Sequence, residues 1–404
     1  MIAARNAKVA KADWKTVKLG DISVDGGHYG IGAPAVEYDE CLPTYLRITD
    51  IRDDGSICKE GLKSVDSEDA EEYYLKPNDL VIARTGASTG RNYFYDGRDG
   101  DFVYAGFLIK FSIDENKIWP PYVKYWFKGD EYRSWLNNHT DGSTRANINA
   151  VTLAECPIRV PKSLPTQRKI AAVLGALDDK IENNRKICAN LEAQAQALFK
   201  SWFVDFEPFG GKMPKDWKMG KLGDVAEITM GQSPDGKSLN ENNEGVTFFQ
   251  GRAEFGNRFP TKRLSTTEPK RMARKGDILL SVRAPVGDLN VALEDCCIGR
   301  GLAAIRSKGG VSSFLLSLLK SKKADFDLYE GAGTIFGSIN KDSLHDLQVI
   351  IPSDDTMKDY ERVISSADAV YHEKELESRA LAELRDALLP KLMSGELDVD
   401  DVEV

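Results

Sequence analysis

The sequence predicts an α+β protein: two pseudo-symmetric mixed α/β domains joined by two long antiparallel coiled-coil helices. Three observations predict it. A set of short motifs occurs twice in the same order. Each copy closes on a short apolar strand and a proline. A long stretch with heptad periodicity follows each proline.

The first copy opens with Asp13-Trp14-Lys15 and Lys18-Leu19-Gly20-Asp21, which return as Asp216-Trp217-Lys218 and Lys221-Leu222-Gly223-Asp224. Asn78-Asp79-Leu80-Val81-Ile82 with a following Arg84 matches Gly276-Asp277-Ile278-Leu279-Leu280 with Arg283. Gly142-Ser143-Thr144 leads to Asn147-Ile148-Asn149 in one copy, and Gly333-Thr334 leads to Ser338-Ile339-Asn340 in the other. The closing strands are Pro157-Ile158-Arg159-Val160-Pro161 and Gln348-Val349-Ile350-Ile351-Pro352. Trp14 and Asn149 are 135 residues apart, Trp217 and Asn340 123. A shared frame with a divergent middle suggests two domains doing one kind of job on different targets. The expected segments are a first domain over 1–163, a first helix over 164–206, a second domain over 207–353, and a second helix with an acidic tail over 354–404.

The first helix carries Ile170, Leu174, Leu177, Ile181, Asn184, Cys188, Leu191, Ala195, Leu198 and Trp202, alternating steps of four and three. That is a heptad seam of about four and a half heptads. A looser seam in the second helix runs Tyr360, Ile364, Ala367, Tyr371, Lys374, Ser378, Leu381, Arg385, Leu388 and Leu392, with Pro390 and Gly395 as stop signals. One stripe alone would fit a helix packed on its own domain. Two stripes at matching places favour pairing with each other. Run antiparallel, their polar centres meet, with Asn184 and Cys188 near Lys374 and Ser378. A buried polar residue costs a seam stability and fixes its register. Asn184 and Lys374 are therefore expected to pin it. Asn184→Leu should raise the melting temperature and loosen the spacing, and an unchanged or lower melting temperature counts against the pin.

Composition bounds the function. The chain has 404 residues and a net charge of −9. It contains no run of ~18 apolar residues that would span a membrane, and its first residues show no long apolar core of a secretory signal. Six scattered Cys without a C-x-x-C pair suggest reduced thiols, so a cytoplasmic protein is expected. An acidic chain at first disfavours nucleic acid. The charge is uneven, however: −5 over 1–160, +1 over 161–207, +4 over 208–352 and −9 over 353–404. The second domain is mildly basic. The acidic last segment reads either as a solvated face or as a surface for a basic partner.

Catalytic constellations do not assemble. Trp119-Pro120-Pro121-Tyr122 resembles the Asn/Asp-Pro-Pro-Tyr motif of adenine methyltransferases, but Trp lacks the amide or carboxylate that would bond an adenine amino group. It reads instead as a Pro-Pro turn into a helix that packs Tyr122, Tyr125 and Trp126. No G-x-G-x-x-G follows a strand. Gly86-Ala87-Ser88-Thr89-Gly90-Arg91 lacks the spacing and the Lys of a phosphate loop. Pro234-Asp235 lies far from Glu268-Pro269-Lys270, so a metal-dependent nuclease site is not supported. The four His are isolated, and neither a metal nor a cofactor is expected.

Binding features recur instead. The first copy has Arg84-Thr85-Gly86-Ala87-Ser88-Thr89-Gly90-Arg91-Asn92-Tyr93. The second has Ser281-Val282-Arg283-Ala284-Pro285-Val286-Gly287, with Gln250-Gly251-Arg252, Arg258 and Lys262-Arg263 upstream. Gly lets a backbone approach phosphate, Arg reads guanine edges, and Gln and Asn read adenine. Any one of these could be a self-capped turn. Recurrence in register favours binding. The expected DNA-contacting residues are Arg84, Ser88, Arg91, Tyr93, Ser143, Thr144, Arg145, Asn147 and Asn149 in the first copy. In the second they are Gln250, Arg252, Arg258, Arg283, Thr334, Ser338 and Asn340.

Over nearly its full length the chain resembles the specificity subunits of type I restriction-modification systems. The most specific matches are Leu198-Phe199-Lys200-Ser201-Trp202-Phe203-Val204-Asp205-Phe206 after the first helix and Leu384-Arg385 with Leu388-Leu389-Pro390-Lys391-Leu392-Met393-Ser394-Gly395-Glu396-Leu397 after the second. The Trp-x-x-x-x-Leu-Gly-Asp openings and Pro165-x-Gln167-x-x-Ile170-Ala171 also match, whereas Thr356-Met357-Lys358-Asp359-Tyr360-Glu361 departs from the pattern. The resemblance implies two target recognition domains, each reading one half of a bipartite site on double-stranded DNA, and a helical spacer that sets the unread gap. It implies a subunit without catalysis that recruits two adenine methyltransferase (modification) subunits and two restriction/translocase subunits. About 37 helical residues at ~1.5 Å each span ~55 Å. That bounds the half-site separation at roughly 16 bp, and overhanging domains favour one helical turn of DNA. Two rival readings remain: a non-catalytic scaffold with two repeated protein-binding modules, and an enzyme with an atypical site.

Overall fold

The computed structural model describes residues 14–140, 147–329 and 337–399. The chain divides into two compact units. Unit 1 holds the described residues up to Asn183 and those from Glu377 onward, and unit 2 is Asn184–Leu376. Among the described residues no helix is long and apolar enough to cross a membrane.

In unit 1 the order is β1 (Trp14–Lys18), β2 (Ser23–Tyr29), β3 (Ala35–Val36), β4 (Thr44–Leu46), β5 (Lys63–Val65), β6 (Asp79–Ala83), β7 (Asn92–Tyr95), β8 (Phe102–Tyr104) and β9 (Leu108–Ile113). Then come α1 (Pro120–Trp126), α2 (Asp130–His139), α3 (Ala150–Ala154), β10 (Pro157–Pro161) and α4 (Leu164–Phe203), which runs on into unit 2. There β11 (Lys218–Lys221), α5 (Leu222–Val225), β12 (Ala226–Met230), β13 (Leu239–Asn240), β14 (Val246–Phe249), β15 (Leu264–Thr266), β16 (Met272–Ala273), β17 (Ile278–Ser281), β18 (Leu289–Val291), β19 (Cys296–Ile298) and β20 (Leu302–Ser307) follow. The chain ends with α6 (Ser312–Lys320), α7 (Lys323–Asp327), α8 (Lys341–His345), β21 (Gln348–Ile351) and α9 (Asp354–Ser394).

The two units repeat one topology. An antiparallel sheet has the order β2-β9-β6-β7 in unit 1 and β12-β20-β17-β18 in unit 2. A second sheet runs β3-β5-β4-β8 and β13-β15-β14-β19-β16, with a parallel pair, β4 with β8 and β14 with β19, at the same place in each. The central strands β6 and β17 are buried along their whole length. Leu80 and Ile82 face the helices, while Val81 and Ala83 face the second sheet. Ile278 and Leu280 divide from Leu279 in the same way. Burial on both faces is why these strands read as unbroken apolar runs rather than alternating ones.

The twice-used opening motif now has a cause. β1 pairs antiparallel with β10, and β11 with β21, so the first strand of each copy holds the last. The Leu19 N–H donates to the Cys156 carbonyl at 2.9 Å, and the Leu222 N–H to the Leu347 carbonyl at 2.8 Å. Both Leu side chains are fully buried. The Gly beside each lies against α3 or α8, where a Cβ would approach Ala154 to 3.1 Å or the His345 ring to 2.0 Å. Trp119 precedes α1 with Pro at its first positions, and Tyr122, Tyr125 and Trp126 are buried, which matches the packing expected for that motif.

All twenty expected seam positions of α4 and α9 are buried or half-buried. The helices run antiparallel in each unit. In unit 1 Lys180 pairs with Glu377 and Asp178 with Arg385. In unit 2 the Cys188 Sγ lies 3.8 Å from the Tyr371 carbonyl, and the Tyr360 hydroxyl donates to the Ala195 carbonyl at 3.0 Å. Asn184 is fully buried, and Lys374 is 20% exposed with its Nζ 3.2 Å from Glu373. Pro390 does not stop α9, contrary to expectation. It lies inside the helix on an exposed face, while Leu389, Leu392 and Met393 continue into the unit 1 core. The helix stops at Gly395, whose φ of 75° closes it, with the Glu396 N–H returning to the Lys391 carbonyl at 2.9 Å.

Candidate nucleic-acid interface

In both units the segment before the last short helix crosses the end of the central strand. The Ile148 N–H donates to the Arg84 carbonyl at 2.9 Å, Thr85 bridges Asn147, and the Asn149 side chain caps α3 by accepting from the Thr152 N–H at 2.8 Å. In unit 2 the Ile339 N–H donates to the Val282 carbonyl at 3.1 Å, Arg283 bridges Ser338, and Asn340 caps α8 by accepting from the Ser343 N–H at 2.8 Å. The Asn-Ile-Asn and Ser-Ile-Asn motifs thus position and start a helix. The same bonds correct one alignment. Arg84 stands where Val282 stands, and Arg283 where Thr85 stands. A one-residue offset on an extended segment reverses the side chain's face. Arg84 is half-buried and Arg283 exposed.

The expected contact residues fall into three environments. Several are exposed or half-exposed. The Arg84 guanidinium stacks 4.9 Å from the Tyr29 ring centre, with its Nε buried and unpartnered. Arg91 holds Asp53 at 2.6 Å, while Arg252 holds Asp288 at 2.6 Å and is 57% exposed. Asn147, Gln250, Arg283 and Ser338 are exposed, and the Gln250 carbonyl accepts the Gly301 N–H at 3.3 Å beside Val282. In the second environment the polar atoms are occupied by the fold: Asn149 and Asn340 cap helices, and Ser88 is 7% exposed. The third is the interior. Tyr93 is 4% exposed between the two sheets, where burial and then Asp99, to which its hydroxyl donates at 3.0 Å, push its pKa up. Arg258 is 6% exposed. Neither presents a polar group outward, so both leave the contact set. Ser143, Thr144, Arg145 and Thr334 lie outside the described residues.

Arg258 belongs to a buried charge cluster, and each unit has one. In unit 2 Arg258 pairs with Asp368 of α9 and, at 2.5 Å, with Glu192 of α4, and its guanidinium lies 3.8 Å from the Tyr371 ring centre. Lys320 of α6 also holds Glu192, at 2.5 Å. Burial opposes ionisation of Glu192, but Lys320 and Arg258 outweigh it and draw its pKa down to about 2. In unit 1 Asp178 of α4 accepts from Arg385 of α9 at 2.8 Å and from the Tyr125 hydroxyl at 3.0 Å, with Lys128 at 3.5 Å and Lys124 at 3.8 Å. Burial again opposes the carboxylate, and Lys128, Arg385 and Lys124 hold its pKa below the ordinary value. These clusters tie α1 and the residues just after it in unit 1, and α6 and the loop bearing Arg258 in unit 2, to that unit's half of the long helices.

Three exposed residues beside these crossings, two in unit 1 and one in unit 2, escaped the sequence reading. Tyr29, 42% exposed, and Phe107, 60% exposed, flank Arg84, whose N–H donates to the Phe107 carbonyl at 3.0 Å. Arg300 is exposed on the matching turn of unit 2. The missed signal was the pairing of Gly106-Phe107-Leu108 with Arg300-Gly301-Leu302 at the start of an apolar strand. Among the described residues no group of His, Cys, Asp or Glu could hold a metal ion.

Comparison with known proteins gives these surfaces a context. Residues 11–193 and 214–378 match the type I restriction modification DNA specificity domain. A Methanocaldococcus jannaschii relative, provisionally assigned as the MjaX type I restriction enzyme specificity subunit, is 30% identical over 96% of this chain and 94% of its own. The HindI type I restriction enzyme specificity subunit of Haemophilus influenzae is 22% identical over 96% of this chain and all of its own. The crystal structure of a type I restriction-modification system S subunit from M. genitalium shares the fold, with a TM-score of 0.59 and 15% identity over 96% of this chain and 98% of that one. The chain belongs to the family of type I restriction-modification specificity subunits: non-catalytic, DNA-binding members of restriction-modification complexes.

Proposed function

We propose that each unit reads one half of a bipartite DNA site. One observation carries this reading. The crossing that sets Thr85 against Asn147 and Arg283 against Ser338 is the same in both units, while the exposed side chains on it differ. A common backbone with different exposed groups is what two readers of different sequences require. Arg84, Arg91 and Asn147 would face one half-site. Gln250, Arg252, Arg283 and Ser338 would face the other.

On this reading residues 1–163 and 207–353 are the recognition domains. The helices within 164–206 and 354–404 are the spacer, with the buried Asn184, alongside Lys374, as its register pin. Two matched units suit recruitment of two modification subunits and two restriction/translocase subunits. A subunit reading chromosomal DNA works in the cytoplasm. Because the segment over 1–160 carries −5, much of the phosphate contact would come from partners, and the free chain would bind DNA weakly. The test is methylome sequencing of a host expressing the full chain with its modification subunit. A gapped motif is expected. Arg283→Ala with Ser338→Ala should relax one half only. A continuous motif, or relaxation of both halves, overturns the reading.

A further inference from the structure

The turn that leads into β9 in unit 1 and β20 in unit 2 is one turn in two copies. In unit 1 the Leu108 N–H donates to the Ala105 carbonyl at 2.8 Å, the Gly106 N–H to Ile31 at 2.8 Å, and the Phe107 carbonyl accepts from Arg84 at 3.0 Å. In unit 2 the Leu302 N–H donates to the Gly299 carbonyl at 3.0 Å, the Arg300 N–H to the Ser233 hydroxyl at 3.3 Å, and the Gly301 carbonyl accepts from Val282 at 2.9 Å. Gly106 therefore stands where Arg300 stands, and Phe107 where Gly301 stands. The backbone is fixed three times over in both copies.

What the turn displays differs. Unit 1 offers a phenyl ring at 60% exposure, with Tyr29 and its stacked Arg84 beside it. Val151 is 77% exposed on α3, next to Ala150, whose N–H donates to the Tyr29 hydroxyl at 3.2 Å. Unit 2 offers an exposed guanidinium. Met230 replaces Tyr29 in register, and Gln250, Arg283 and Ser338 surround the turn. A side chain on a backbone already ordered loses little further freedom on contact. The thymine 5-methyl is the apolar group that a base pair presents in the major groove, and O6 with N7 is the guanine edge that suits Arg.

We propose that this turn is a specificity determinant in both units and that the units read by different chemistry. Phe107 covers a thymine methyl in one half-site, and Arg300 donates to a guanine edge in the other. The proposal rests on the reading of each unit as a half-site reader.

The test uses the full chain purified with its modification subunit. Methylation rates are measured on duplexes in which each thymine of the site is replaced by uracil, or each guanine by 7-deazaguanine. Uracil at one position of one half-site should slow methylation about fourfold, the value of one buried methyl group. Phe107→Ala should slow the thymine duplex by the same factor and become indifferent to uracil there, while Phe107→Leu keeps part of the effect. Arg300→Ala should remove a roughly tenfold sensitivity to 7-deazaguanine in the other half-site only. Equal losses for Phe107→Ala on thymine and uracil duplexes overturn the proposal, as do Phe107 and Arg300 effects in the same half-site. If both variants leave every rate unchanged on a motif that remains gapped, the turn fails and the half-site reading stands. A continuous motif fails both.

Discussion

Units 1 and 2 share strand order, register and turns, and differ in almost every exposed side chain on that frame. One exchange is a direct inversion. The Ala83 N–H donates to the Arg91 carbonyl and the Ser281 N–H to the Asp288 carbonyl, each at 2.8 Å, so Arg91 and Asp288 occupy one position. Arg91 reaches Asp53 in the loop after β4, and Asp288 reaches Arg252 in the loop after β14. The bridge is kept and its charges are swapped. What the units hold in common is buried, such as Leu19 and Leu222, bonded to the backbone, such as the capping Asn149 and Asn340, or made of backbone, such as the tip of each turn. The frame depends on packing and hydrogen bonds that tolerate few residues. The surface proposed to read DNA depends on exposed groups, which can change without unfolding the frame.

The buried clusters sharpen the contrast. In unit 1 a single carboxylate, Asp178, serves Arg385, Lys128 and Lys124, whereas unit 2 shares two carboxylates between two cations. Removing one partner of a buried pair costs about 3–5 kcal/mol. Asp178→Asn should therefore be the largest single loss, read as a lower denaturant midpoint for unit 1 with unit 2 little changed. A loss below about 1 kcal/mol would show that the cluster is solvated.

Acid should separate the units next. Glu192 has its pKa drawn down to about 2, against ~4.3 in an unfolded chain. Its contribution is complete above pH ~4.3 and is lost as pH falls through 2. The amount is on the order of 3 kcal/mol. Unit 2 should weaken across that window, and Glu192→Gln should flatten the dependence while lowering stability at neutral pH. An unchanged pH profile in the variant removes Glu192 from the account.

A matched pair tests the common frame. Gly90 and Gly287 both have positive φ, and an added Cβ would approach Leu136 to 2.0 Å and Phe326 to 2.4 Å. Ala at either position should cost roughly 1–3 kcal/mol. Costs that differ severalfold would mean that the two turns are not equivalent. The smallest effect belongs to the swapped bridge. Arg91→Ala and Arg252→Ala should each change stability by less than ~1 kcal/mol, because these pairs are solvent-exposed, while Arg252→Ala weakens DNA recognition by its own half-site. A large stability change would place the bridge in the frame instead.

Much of this was legible in the sequence. The seam around Asn184 follows from a strict alternation of steps, since helix packing depends on local spacing. The repeat was visible because its anchors are residues the frame cannot exchange. Exposure was not legible. Tyr93 follows a Gly loop as a surface aromatic would, yet strand alternation turns it between the sheets. Arg258 lies in a basic stretch but meets Asp368, 110 residues later in the chain. Arg84 and Arg283 were paired by residue type, while the hydrogen bonds set them one position apart. Phe107 carries no periodic signal, because a single exposed aromatic on a turn has none.

The central claim is that each unit independently reads one half of the site. Exchanging residues 207–353 for the corresponding segment of a family member with a different motif, followed by methylome sequencing with the modification subunit, tests it most directly. The account predicts a gapped motif in which one half changes and the other half and the gap are retained. Replacement of both halves, or an unchanged motif, would contradict it.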